Sequence, residues 1–123
     1  MNWEEIKEKY PLAYNYCIAS LDAWNLLGDD SEPENKEALY FFFDKQGIMI
    51  EIGVDFTRAG YGRPLYCYRV NDFKEFEDIN KAGAPWSELE RTRKDAELEA
   101  FDCAFATMES KLDKIQLPEE FQD

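Results

Sequence analysis

The chain has 123 residues, 45% apolar and 15% aromatic, enough for the core of one domain and little more. Its net charge of −13 is spread evenly, with 5 basic and 12 acidic side chains in residues 1–60 and 9 and 15 in residues 61–123. Lacking a basic patch, it is a poor binder of nucleic acid phosphates or an anionic membrane; lacking histidine, and with three widely spaced cysteines, it disfavours a zinc site and a disulfide framework.

In chain order, Asn2 is a plausible N-cap, and Trp3, Ile6 and Tyr10 recur at helical spacing behind it. The acidic start "MNWEEIKEKY" has no apolar signal region, so a cytoplasmic protein is expected. Pro11 suits the first turn of a second helix. Its apolar stripe is read as Leu12, Tyr16, Ala19, Ala23 and Leu26/Leu27, with Gly28 as its stop and "GDDSEPE" as a polar loop. Ser31 and Glu34 form a capping-box pattern that predicts a helix from Pro33 to Lys45, ended by Gly47. The run "ALYFFF" inside it, residues 38–43, also reads as a buried strand with "DKQG" as a turn; it is too short to cross a bilayer. The cap and the glycine stop favour the helix, and the aromatic content favours the strand.

"IMIEIGVDF" alternates strictly, placing Ile48, Ile50, Ile52, Val54 and Phe56 on one face. "LYCYRV", residues 65–70, is the second strand, with Tyr66, Tyr68 and Val70 inward and Arg69 outward beside Glu51 and Asp55. Pairing Val54 with Tyr68 leaves "AGYGR" as a five-residue hairpin loop. This loop lacks the third glycine of a dinucleotide fingerprint and the Lys-Ser or Lys-Thr of a phosphate-binding loop. After a short helical turn at "DFKEFEDI" and a linker at "NKAGAP", Thr92 and Asp95 approximate a capping box for the last helix. Phe101, Phe105, Met108, Leu112 and Ile115 form its stripe, widened by Ala96, Ala100 and Ala104. Glu97, Glu99, Asp102 and Glu109 fall off the stripe, and Pro118 bars continuation. One α+β domain over residues 1–117 is expected: N-terminal helices, a central antiparallel β-hairpin of two to three strands and a long amphipathic C-terminal helix packed on the sheet. Residues 118–123 read as a loose tail.

Chemistry is sparse. Cys17, Cys67 and Cys103 have apolar or aromatic neighbours and read as small hydrophobes. "DDSEPE" lacks the glycine and the terminal glutamate of a calcium loop. No catalytic motif or cofactor fingerprint is present, so a non-enzymatic protein with no cofactor is expected. Binding surfaces are better supplied. Tyr61 stands between two glycines with Arg58 and Arg63 beside it, and these three with Trp86 are the candidate partner-binding residues. Exposed strand edges offer a route to a homodimer.

Two segments resemble small uncharacterised proteins encoded in bacterial prophages and mobile elements. Phe42, Phe43, Asp44, Gly47, Ile48 and Ile50 match an FFD-x-x-GI-x-I segment. Thr92, Arg93, Ala96, Ala100, Phe101, Ala104, Phe105, Met108, Glu109 and Leu112 match a later helix. The resemblance implies a shared fold and brings no activity with it. The functional expectation is an acidic accessory protein that works as a protein–protein interaction module. The alternatives are an acidic mimic of DNA that blocks a nucleic-acid-binding protein, and a carboxylate enzyme using a divalent metal ion.

Overall fold

In the computed structural model, which describes residues 1–55, 64–72, 86, 87, 90 and 92–115, four helices gather on a two-stranded antiparallel sheet. The fold is α+β.

Helices α1 (Trp3–Lys9) and α2 (Pro11–Ala23) meet at Tyr10. Asn2 caps α1, its Oδ1 accepting from the Glu5 amide at 3.2 Å. Pro11 opens α2 at its first position, where a missing N–H costs nothing. The stop is Asn25, not Gly28. Asn25 adopts a φ of 60°, its amide donates to the Asp22 carbonyl, and the Leu26 amide donates to the Leu21 carbonyl. These two bonds define a Schellman ending, with asparagine in the left-handed position. The buried face of α2 is Ala13, Cys17 and Leu21, whereas Tyr16, Ala19 and Ala23 of the expected stripe are exposed. The helix is apolar nearly all round, so periodicity offered two faces, and small side chains won the close approach to its neighbours.

Residues 38–43 are helical, so the third strand is absent here and β1 pairs with β2 alone among the named strands. Helix α3 spans Lys36–Lys45 and is capped by Asn35, whose Oδ1 accepts from the Ala38 amide at 3.0 Å. The expected Ser31 cap fails because residues 27–34 fold into a small hairpin. Gly28 N–H donates to the Glu32 carbonyl at 2.7 Å, Glu34 N–H to the Leu26 carbonyl at 3.0 Å, and Ser31 sits at φ 62°. An N-cap needs an extended backbone instead. Gly47 ends α3 at φ 78°, as the sequence implies.

Strands β1 (Ile48–Asp55) and β2 (Leu65–Asp72) pair with Ile52 opposite Tyr68 and Val54 opposite Tyr66. This register is shifted by two residues from the expected one and keeps every side chain on its expected face. Because Asp55 pairs with Leu65, the strands part before the "AGYGR" loop; residues 56–63, 73–85 and 116–123, with the hairpin loop, the "DFKEFEDI" turn and the tail, lie outside the described residues. The backbone N–H and C=O of Tyr66 bond to Glu90, and those of Tyr68 to Ser87. The edge of β2 that faces away from β1 is therefore occupied at both positions.

Helix α4 (Arg93–Ile115) lies across the inner sheet face and against α2. Thr92 caps it as expected, Oγ1 accepting from the Asp95 amide at 3.0 Å. Ala96, Ala100 and Ala104 are fully buried and form the centre of the contact, not its margin. Phe42, Phe43, Leu21, Cys17, Ile48 and Phe105 fill the core between them. Each large apolar side chain so buried contributes about 1.5–3 kcal/mol relative to exposure. Val54, expected inward, is 39% exposed near the end of the strand.

Candidate interaction surface

The acids of α4 are the first place where the structure departs from a solvated surface. Glu97 accepts from the Tyr40 hydroxyl at 2.9 Å and from the Lys36 ammonium at 3.4 Å. Asp102 accepts from the Tyr10 hydroxyl at 3.1 Å and pairs with Lys9. Glu109 accepts from the backbone amide of Ala13 at 2.8 Å. Three acids expected to sit in solvent thus tie α1, α2 and α3 to α4. Burial, followed by the bond to Asp102, holds the Tyr10 phenol above its ordinary pKa, and burial with the Glu97 bond does the same for Tyr40.

Of the candidate partner-binding residues, Arg58, Tyr61 and Arg63 lie outside the described residues. Trp86 lies on the outer sheet face, 45% exposed. A Cβ built on Gly53 would approach its ring to 3.0 Å, so the indole rests directly on the β1 backbone. The Arg69 guanidinium stacks on its ring, 4.3 Å from the centroid. Arg69 also donates to both Glu51 carboxylate oxygens at 3.1 Å; its outward facing beside Glu51 is as expected, and the shifted register sets the two directly opposite. Glu51 further accepts from the buried Asn71 amide group at 3.0 Å. Glu51, Arg69 and Trp86 form one stack, so this face is half-covered and less wet than alternation alone suggests.

A second surface was not legible as a site. Trp24, the residue after α2, and Phe41, on α3, are 38% and 44% exposed. Their rings meet edge to face with centroids 5.3 Å apart. They flank an open groove of about 790 Å³, floored by Leu26 and Ala38 and rimmed by Glu34, Glu37 and Lys45. The Lys45 ammonium lies 5.3 Å from the Phe41 ring centroid. Trp24 also touches Phe42, which packs on Phe43 and through it on Phe105, so the groove's anchors are braced by the core. A signal for this was present in "FFF". Successive helical residues are about 100° apart, so three consecutive phenylalanines cannot all face one core.

The three cysteines are free thiols. Cys17 is fully enclosed, and burial pushes its thiol up to about 12. Burial also raises Cys103. Among the described residues, no group of three histidine, cysteine, aspartate or glutamate side chains is placed to hold a metal ion, and no helix is long and apolar enough to cross a membrane. Comparison of the chain with protein-family models, with curated proteins and with solved structures found no match in any of the three.

Proposed function

We propose that the protein is a non-enzymatic protein–protein interaction module, an acidic accessory protein of the bacterial prophage type working in the cytoplasm, and that the Trp24–Phe41 groove is its contact surface. The observation that carries this reading is the exposure of two aromatic side chains that meet edge to face at the margin of an apolar groove. Exposed, braced aromatics lose little entropy on binding and are the usual anchors of protein interfaces. The fold gains little from leaving Phe41 in water, since Phe42 and Phe43 already fill the core. The DNA-mimic reading has less support: Glu97, Asp102 and Glu109 are spent on internal partners and do not form a free row of charges. The test is paired capture from bacterial lysate with the wild-type protein and the Phe41→Ala variant. Recovery of a defined protein by the wild type alone supports the proposal. Recovery of nothing, or of the same set by both, overturns it.

A further inference from the structure

We infer that the occupant of the Trp24–Phe41 groove is a basic amphipathic helix of a partner protein, its apolar stripe on Trp24, Leu26 and Phe41 and its lysines or arginines on Glu34 and Glu37. This rests on the groove reading above and adds the chemistry of the partner.

The groove's charge is the first ground. Glu34 and Glu37 line it and are exposed, and neither has an ion-pair partner among the described residues. The cation between them in sequence, Lys36, reaches instead to Glu97 on α4. Glu34 ends the 27–34 hairpin, whose Asp29, Asp30 and Glu32 add negative charge to this part of the chain without lining the groove. Within the hairpin, desolvation and then the Asp30 charge raise the Glu32 pKa, so these carboxylates already repel one another. Lys45 is the cation lining the groove, and it lies over the Phe41 ring. With a net charge of −13 on the whole chain, a positively charged partner is steered toward it, the more so at low salt.

Shape is the second ground. The groove is open and lined by α3 on one side and by the turn after α2 on the other, with one aromatic contributed by each. An open apolar trough with charged margins is the form that receives a helix through anchors at i, i+3 or i+4 and i+7. The edge of β2, by contrast, is already occupied at Tyr66 and Tyr68, which removes the competing mode of strand addition there.

The test uses the full chain and a synthetic helix with leucines along one face and lysines elsewhere, against the same helix with every lysine replaced by glutamate. Binding is read by calorimetry. The lysine helix is expected to bind, with affinity falling as salt rises, and the glutamate helix is not. Trp24→Ala and Phe41→Ala, which leave every charge in place, are each expected to weaken binding by about tenfold or more, as anchor truncations do. Glu34→Gln with Glu37→Gln is expected to weaken it and to flatten its salt dependence, while Val54→Ala leaves it unchanged. Both aromatics are exposed, so their variants should fold, and circular dichroism verifies this; should one unfold, the other decides. Equal binding of the two helices overturns the inference, and so does lysine-helix binding indifferent to both aromatic truncations. If the inference falls in this way while Phe41-dependent capture of a cellular partner persists, the groove reading stands and the partner's chemistry is wrong.

Discussion

The carboxylate of Glu109 accepts a hydrogen bond from the amide of Ala13 at 2.8 Å, so a side chain from the last helix caps the second. Helix α2 needs this, because Tyr10 at its N-cap position supplies no side-chain acceptor. Glu109→Ala is expected to cost about 1–2 kcal/mol, in the range of N-cap removals. Glu109→Gln, which keeps an acceptor oxygen but loses the charge facing the helix dipole, should cost less, about 0.3–1 kcal/mol. Urea unfolding of the two variants checks the order. Equal midpoints for wild type and Glu109→Ala would mean that Glu109 does not cap α2.

Gly53 and Trp86 make a second coupled pair. A methyl at residue 53 meets the indole at 3.0 Å and the Cys67 Sγ at 3.0 Å. Gly53→Ala should destabilise by about 1–3 kcal/mol, the ordinary cost of overpacking. In a Trp86→Ala background the indole is gone, and the same substitution should cost clearly less. A double-mutant cycle that returns no coupling would place Trp86 elsewhere.

The stack on Trp86 makes the Glu51–Arg69 pair more than a surface ion pair, though both side chains remain about a third exposed. Glu51→Ala removes the bidentate bonds and one partner of the buried Asn71. Solvent screening keeps the pair's own share to about 1 kcal/mol. A cycle with Arg69→Ala, read by thermal unfolding, measures it.

Stability should fall in alkali. Tyr10, Tyr14, Tyr40 and Tyr68 all have phenols raised above the ordinary 10.0, with burial as the leading cause in each. The neutral phenol is the form the folded state favours, so the contribution is complete below the unfolded pKa. It is lost as pH climbs through the folded values, and Tm should drop from about pH 10 upward. Tyr40→Phe should soften that drop while costing stability at neutral pH through loss of the Glu97 bond. A Tm flat across this range would contradict the burial assigned to these rings.

Thiol chemistry separates the cysteines. With its pKa near 12 and no exposure, Cys17 should stay silent toward a soluble disulfide reagent until the protein unfolds. Cys67 and Cys103, both half-buried, should react first. Modification of Cys17 at the rate of the other two would mean that α2 is not packed as described.

Much of the fold was legible because single residues punctuate it. Asn2, Pro11, Gly47 and Thr92 each act through their own backbone or side chain, and local chemistry suffices to read them. What depended on tertiary competition was not. Ser31 matched a capping box, but the 27–34 hairpin took its backbone and Asn35 took the cap. Tyr16 matched a stripe, but the smaller Ala13 and Cys17 let α2 sit closer. The two-residue shift in the hairpin register preserves facing, so side-chain alternation could not reveal it. The groove joins Trp24 and Phe41 from different elements, and only the three-phenylalanine run hinted that one ring must point outward.

On the proposal above, a basic partner helix docks in the Trp24–Phe41 groove. The most direct measurement of this docking is an NMR titration of the isotope-labelled protein with the lysine-bearing helix. The Trp24 indole N–H and the amides of Glu34, Glu37, Phe41 and Lys45 are expected to shift first and furthest. Shifts centred on the outer sheet face around Trp86, or scattered evenly over the acidic surface, would contradict docking in the groove.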